Sequence, residues 1–550
     1  MYRLDPSKTT LNVNDINKAF YSKFDLSHEV KGVNDMGNLI PTYYEDCIPG
    51  DRFQIKCNVV VRFNPMVSPL LHSVKMKVYY FFVPYRLVWD EWETFITGGQ
   101  DGQQTLAVPQ WYYHPSQDSG YDKIWDSLGL PLFQNAFNYY DPRMPHDFVR
   151  RAYNLVWNEW FRHQDLQTPV PLTNKNLLKK NYDFDYFISA LPFQQRGVAP
   201  ALPVVGQGHL NFQTTVGFGG SPFDFYNMRT QAFASSGVFL KSVFGIASTS
   251  NNSFFPFNTS DPQYQNLFKQ HFQLPPLSST DIHTLRLSVQ LQAWMERNAR
   301  AGYRYVDFLK AHFPASPRDD RLQRPEYLGG FFDFVQITEV QSMAETTSQP
   351  LGSIAGSGAA IMRNNDSVNY TAQEHGVILG LLCVYPDHAL NSQGVPRYFL
   401  KAHRFDFYFP EFALLSDQAI WRAEIFADNL PANQVKAPFG YVPRYSEYRI
   451  RNSYTTGLMR SAFSHWHLHR NFTNPPVLNG QFLQINPSKN FLAFPNEPTF
   501  IFGVGNEVTA LRPMPFASQP AAIFSMQDVA DQSQIVGDGV LGSSRSSELR

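Results

Sequence analysis

FQIKCNVVVRF at 53–63 and VKMKVYYFF at 74–82 decide the fold. In the first, Phe53, Ile55, Cys57, Val59, Val61 and Phe63 are apolar while Gln54, Lys56, Asn58 and Arg62 are polar, the period-two pattern of a half-buried strand. Val74, Met76, Val78, Tyr80 and Phe82 repeat it against Lys75 and Lys77. Between the two, NPMVSP at 64–69 carries two prolines that cannot continue a ladder, so the chain turns back on itself. The pair ends in FFVPYRLVWDEWETFITGG at 81–99.

Strand-like text fills 30–85 and returns from 330 onward. Val377–Tyr385 is nearly continuous in apolar residues, Phe405, Phe407 and Phe409 alternate, and TFIFGVGNEVTAL at 499–511 closes the series. Between 86 and 200 the text changes to proline-broken loops such as WDSLGLPLF, DPRMPHDF and TPVPLTN. One helix is expected there, with Pro145 in its first turn and Phe148, Ala152, Leu155, Val156 and Trp160 on one face. A second helical stretch covers about 281–313, where Leu287, Leu291, Trp294, Tyr305, Phe308 and Leu309 give partial amphipathicity and Gly302 marks a break. This predicts an all-β core, a jelly-roll sandwich drawn from 30–85 and 330–520, with 86–329 inserted as loops and a few helices. Polar arms are expected at 1–30 and 521–550.

The composition supports strands and long ordered loops. Aromatic residues make up 15% of the 550 and prolines number 39, while charged residues reach only 17% against a usual value of about 25%. So little charge leaves apolar loop side chains to be hidden against neighbouring subunits. A net charge of −1 without long runs lacks the basic footprint of an autonomous DNA-binding protein. Cys47, Cys57 and Cys383, an odd number in a long chain, read as small core residues in a reducing compartment. No signal peptide and no membrane span are expected, since MYRLDPSKTTLNVNDINKAF has no apolar core and no window approaches 18 uncharged apolar residues.

Few constellations point to chemistry. His465, His467 and His469 alternate, so on a strand their rings would share one face and converge on a metal; the plainer reading is a solvated or interface face with Trp466 and Leu468 opposite. The acidic neighbours Asp319-Asp320 and Asp90-Glu91 supply no pair held across a cleft. Gly352, Gly356 and Gly358 in PLGSIAGSGAA lack the spacing and lysine of a phosphate cradle and read as a flexible loop. No nucleophile elbow occurs. Arg444, Arg449 and Arg451 in RYSEYRIRNSY are candidates for stacking on single-stranded bases, against the alternative of a cross-strand pairing surface. No catalytic residue and no cofactor is expected.

Residues 206–260 hold ten phenylalanines, among them Phe218, Phe223, Phe225, Phe254, Phe255 and Phe257, with only Asp224, Arg229 and Lys241 as charges. Such a segment exposes a large apolar patch unless copies pack together or it folds back on its own subunit.

Six motifs carry a family resemblance: FFVPYRLVWDEWETF at 81–95, WNEWFR at 157–162, LPFQQRG at 191–197, LQRPEYLGG at 322–330, EHGVILGLL at 374–382 and FGYVPRYSEYR at 439–449. In this order and spacing the chain resembles the major capsid proteins of gokushoviruses, tailless phages of the Microviridae. The resemblance implies an eight-stranded antiparallel jelly roll, a T=1 icosahedral shell, and protrusions at the threefold axes, which 206–260 would form and use on a bacterial surface receptor. It implies as partners further copies of the chain, a circular single-stranded DNA genome, a small basic DNA-binding protein, an internal scaffolding protein and a DNA pilot protein, and no membrane. The protein would be assembled in the host cytoplasm and reside in the virion. The competing class is a carbohydrate-active or carbohydrate-binding β-sandwich protein, which calls for an export signal and acids paired across a cleft.

Overall fold

The computed structural model describes residues 21–99, 106–137, 141–199, 282–302, 304–313, 318–319, 322–341, 354–363, 366–387 and 393–514, and the strand residues 213–214 and 223–224. The chain divides into two compact units, Met1–Gln194 with Asn298–Arg550, and Gln195–Arg297.

Five strands precede the insertion: β1 Ser22–Asp25, β2 His28–Asn34, β3 Ile40–Cys47, β4 Arg52–Phe63 and β5 Val74–Pro84. The second unit holds the short antiparallel pair β6 Gln213–Thr214 and β7 Phe223–Asp224. The series resumes with β8 Glu326–Phe334, β9 Gln336–Gln341, β10 Ile354–Arg363, β11 Val368–Thr371 and β12 Gly376–Pro386. It ends with the hairpin pair β13 Asp417–Trp421 and β14 Pro438–Pro443 and the long β15 Phe500–Arg512. One antiparallel sheet runs β1-β15-β4-β10-β9, with β2 also on β15 and β11 on β4. The other runs β3-β12-β5-β8, again antiparallel.

The alternation in 53–63 does what its period requires. Ile55, Cys57, Val59 and Val61 point inward and share one core with Val504 and Val508 of β15, and with Met76, Val78 and Tyr80 of β5 and Ile378, Leu382 and Val384 of β12. The two sheets thus form a β-sandwich. β12 is buried at all eleven positions. Its other face, with Tyr79, Phe81 and Val83 of β5, packs under Trp111, Trp125, Phe148, Tyr153 and Trp157 from the segment after β5 and under Phe482 from the segment before β15. A strand with no wet side reads as an unbroken apolar run, and that is why VYYFFV and VILGLLCVY lose the alternation.

The expected helix after Pro145 spans Phe148–Val156 and runs into a π-helical turn, Trp157–Phe161. It is pinned to the sheet by Tyr153, whose hydroxyl donates to the Leu39 carbonyl at 2.8 Å and accepts from the Leu178 N–H at 2.8 Å. The second helical stretch is two helices, Ile282–Ala301 and Tyr305–His312, broken at Gly302 with φ 98°.

Four expectations need correction. Within the expected 1–30 arm Ser22–Asp25 and the start of His28–Asn34 pair with β15, and β8 begins at Glu326, ahead of 330. PLGSIAGSGAA is not a loop from Ile354 onward: Gly356 and Gly358 lie in β10 between β4 and β9. A Cβ at Gly356 would stand 2.7 Å from the Ser68 carbonyl, so this glycine admits the proline turn against the strand. Phe405, Phe407 and Phe409 lie on and beside 3₁₀ turns, Arg404–Asp406 and Pro410–Phe412, because the Asp406 carboxylate accepts the Ala402 and His403 N–H groups and bends the chain. RYSEYRIRNSY begins just after β14 and coils through a 3₁₀ turn at Ser446–Tyr448, so it makes no cross-strand surface. The tail 521–550 and the phenylalanines Phe218, Phe225, Phe254, Phe255 and Phe257 lie outside the described residues, as does the side chain of Phe223.

Candidate functional site

Two clefts open in the segment between β12 and β15. The first, about 610 Å³, is lined by Tyr186, Arg397, Tyr398, Glu424, Arg451 and Tyr454 among others. Its floor is a saturated polar network. Glu424, 5% exposed, accepts from the Arg397 guanidinium at 2.9 Å and the Trp421 N–H at 2.8 Å on one oxygen, and from the Tyr186 hydroxyl at 2.8 Å on the other. Burial raises the Glu424 carboxyl above its ordinary range, and Arg397 opposes that rise. With both oxygens engaged it is a structural carboxylate and not a free acid or base. Glu447, also 5% exposed, accepts from Gln418 at 2.6 Å, and the same Gln418 takes the Tyr445 N–H at 3.1 Å, holding Tyr445 at φ 63°.

The rim of this cleft is aromatic. Lys401 donates to the Tyr448 hydroxyl at 2.6 Å and sits 4.1, 5.3 and 5.4 Å from the ring centroids of Tyr448, Phe407 and Tyr398. Phe399 and Tyr454 line the cleft, and they and Phe405, Tyr408 and Leu458 of the same segment stand half-exposed or more. Arg449 and Arg451 are exposed and Arg451 lines the cleft, whereas Arg444 is partly covered and lies 5.0 Å from the Tyr445 ring. The structure therefore brings Arg451 into one cleft with Tyr398 and Tyr454. Sequence reading missed Arg397, Tyr398 and Tyr454 here. The one signal available was a run of aromatic residues in proline-broken text too short of charge to be solvated.

The second cleft, about 570 Å³, contains the histidine motif. His465 lies in a 3₁₀ turn, Ser464–Trp466, so the three rings do not line one face of a strand. His467 and His469 meet at 4.1 Å with their rings tilted by 43°, and His72 meets His469 edge-on at 5.5 Å. Both His467 nitrogens are engaged, Nε2 with the Met459 carbonyl at 2.8 Å and Nδ1 with the His469 N–H at 3.1 Å. Burial, then the neighbouring His467 and His72, lowers the His469 pKa to about 3. Among the described residues no group of three His, Cys, Asp or Glu side chains is placed to hold a metal ion. Cys47, Cys57 and Cys383 are free and buried, and burial raises all three thiols. No described helix is long and apolar enough to cross a membrane.

Comparison with known proteins gives this architecture its context. A family model described as "Capsid protein (F protein)" matches residues 14–522. Capsid protein VP1 of Chlamydia phage 1 is 31% identical, that of Bdellovibrio phage phiMH2K 32% and that of Spiroplasma virus 4 25%, each over 91% of this chain and 95% of the relative. The match over residues 14–522 settles the family: the chain belongs to the capsid protein (F protein) family, with gokushovirus capsid proteins as its relatives.

Proposed function

We propose that this chain is the repeating subunit of a T=1 icosahedral shell around a circular single-stranded DNA genome and that it acts without catalysis. The observation that carries the reading is the match to capsid proteins from 14 to 522. The strand order supports it. Numbering only β2, β3, β4, β5, β8, β10, β12 and β15 as one to eight, the sheets read 1-8-3-6 and 2-7-4-5, the order of an eight-stranded jelly roll. In that reading 30–85 and 330–520 are the barrel and 86–329 the insertion.

Assembly would follow from what the subunit leaves uncovered. Exposed rings such as Tyr398, Phe399, Phe405, Tyr408 and Tyr454 would be covered when copies meet over roughly 1,200–2,000 Å². Residues 206–260 would form the threefold protrusion and contact the host receptor, the low charge of the segment being the support. A chain at −1 leaves phosphate neutralisation to a small basic protein, with scaffolding and pilot proteins completing the particle. The carbohydrate-enzyme alternative gains no free acid from Glu424, whose two oxygens are both engaged.

Expression of the full chain followed by negative-stain imaging and sedimentation tests the reading. Closed particles of uniform size are expected, and a stable, soluble monomer at high concentration overturns it. Replacing 212–257 by a short Gly/Ser linker should leave particles that assemble but adsorb poorly to cells; normal adsorption removes the attachment role.

A further inference from the structure

The two sheets differ in what covers them. The β3-β12-β5-β8 sheet is packed on both sides at β12 and β5, whereas the seven-stranded sheet buries one face and leaves the other exposed among the described residues: Gln54, Val60, Arg62, Ile361 and Ile501 are all exposed. On that bare face stand Lys23, Lys31, Arg52, Lys56, Arg62 and Arg363, six cations, against Asp25, Glu29 and Glu507, three anions. A surplus of three on one face of a chain whose total is −1 is a separation of charge, not an average. The anions are occupied within the face. Glu29 pairs with Lys31 at 2.9 Å, and Glu507, opposite Lys56 in the register, accepts from Asn58 at 2.7 Å. Among the described residues Arg52, Lys56, Arg62 and Arg363 have no carboxylate within ion-pair distance.

The middle of this face has a floor without side chains. Gly503 and Gly505 lie in β15, between β2 and β4. Neither has a positive φ, and a Cβ added to them would meet nothing nearer than 3.9 and 3.8 Å respectively. Among the described residues neither backbone conformation nor packing asks for glycine, and in a strand interior glycine is a cost. What remains is close approach from outside, between the cations and beside half-exposed Val60, Ile361 and Ile501. A flat apolar floor with flanking cations suits a polyanion that carries planar rings.

We propose that the bare face of the seven-stranded sheet is the surface on which single-stranded DNA lies, with phosphates toward Lys31, Lys56, Arg62 and Arg363 and bases over Gly503 and Gly505. This rests on the reading of the chain as a shell subunit, and it assigns the genome to the sheet in place of Arg444, Arg449 and Arg451. It fixes the polarity of the sandwich: the covered sheet faces outward and the bare sheet faces the genome.

The test uses the purified full-length chain, kept dilute enough to stay unassembled so that the inward face is reachable, and a fluorescent thirty-mer of deoxythymidine, followed by anisotropy over a salt series. The wild-type chain should bind at low salt. The variant Lys31→Gln, Lys56→Gln, Arg62→Gln, Arg363→Gln should lose at least about tenfold in affinity, with a log–log salt slope shallower by up to about 3, at roughly 0.7 per lost phosphate contact. Gly503→Leu with Gly505→Leu, for which the subunit has room, should weaken binding with the slope unchanged. Arg444→Gln, Arg449→Gln, Arg451→Gln should bind within about twofold of wild type, the contacts that matter for the slope being elsewhere. A wild-type chain that does not bind, a quadruple or glycine variant that binds normally, or a loss carried by the 444–451 variant each overturns the proposal. Imaging the same preparations once concentrated separates the two readings. Wild-type particles with unaffected variants sink the DNA face alone, and absence of particles from the wild-type chain sinks the shell. A quadruple variant that binds normally but fails to close particles gives the face to a protein partner and so also overturns the proposal. If the quadruple variant does not fold, the glycine pair decides.

Discussion

Asp147 offers the sharpest test of how the insertion is held on the sheet. Its side chain is 1% exposed and takes a two-pronged contact from Arg150, Nε to Oδ1 and Nη2 to Oδ2, both at 2.6 Å, with Arg151 Nε at 3.1 Å from Oδ2. Arg150 has its guanidinium 4.4 Å from the Trp111 ring and a side chain only 6% exposed. Asp147→Asn keeps the shape and leaves the Arg150 charge buried without a counter-ion. Breaking one side of a buried pair costs about 3–5 kcal/mol, about two to four decades in the local folding constant at roughly 1.4 kcal/mol per decade. Arg150→Met should cost less, because Asp147 keeps Arg151, a charge-assisted bond of about 1.5–3 kcal/mol. The double substitution should fall short of the summed losses, since removing both charges together leaves neither stranded. Urea unfolding of the isolated subunit followed by tryptophan fluorescence reads this layer directly, because Trp111, Trp125 and Trp157 are buried in it. Hydrogen exchange over 148–156 localises the loss. A cost for Asp147→Asn below about 1 kcal/mol, as for a surface pair, or a larger cost for Arg150→Met, refutes the reasoning.

Acid should weaken the His469 layer: with its pKa lowered from 6.5 to about 3, the neutral ring's contribution is whole above about 6.5 and drains as pH falls toward 3, because over that window the unfolded chain binds the proton and the folded chain does not. Urea midpoints measured against pH should fall less steeply for His469→Phe, and equal slopes would remove the assignment. Gly356→Val should destabilise by at least about 1–3 kcal/mol, since its Cβ has backbone atoms of Ser68 and Pro69 at 2.7 Å, and a thermal midpoint like that of wild type counts against the close approach. Cys47, Cys57 and Cys383 should resist thiol reagents until the chain unfolds, being 0% exposed, and reducing agent should not alter particles; labelling of the native chain at the rate of a free thiol would contradict their burial.

The sandwich was legible where one face of a strand is wet. β4 and β15 alternate because one side packs and the other does not. β12 was legible by the opposite rule, as a continuous apolar run. The break at Gly302 was legible from one residue, because only glycine takes φ 98° cheaply. What could not be read was β10. Its glycines exist for the turn at 64–69, a contact with no local trace in PLGSIAGSGAA. The clefts were hidden for the same reason, since Tyr186, Arg397 and Glu424 meet from 238 residues apart at most in separate loops. The histidine motif was visible, but its spacing means one face only on a strand, and the Ser464–Trp466 turn removes that premise.

The remaining misreadings share a cause. Period-two text at Phe405, Phe407 and Phe409 gave no strand, and the apolar positions Leu287, Leu291 and Trp294 of the helix Ile282–Ala301 are 59%, 43% and 47% exposed. Periodicity reports that side chains on one side of an element meet something apolar; it does not say that the something belongs to the same chain. In a monomer the inference from period to self-burial is safe, because exposed stripes are removed by aggregation. In a subunit that completes its packing only against copies of itself, the same stripe is retained and exposed in the single chain. The residues at which single-chain reading fails are then the first places to look for contacts between subunits, and β4 and β12, where it succeeds, are the parts that must fold before any such contact exists.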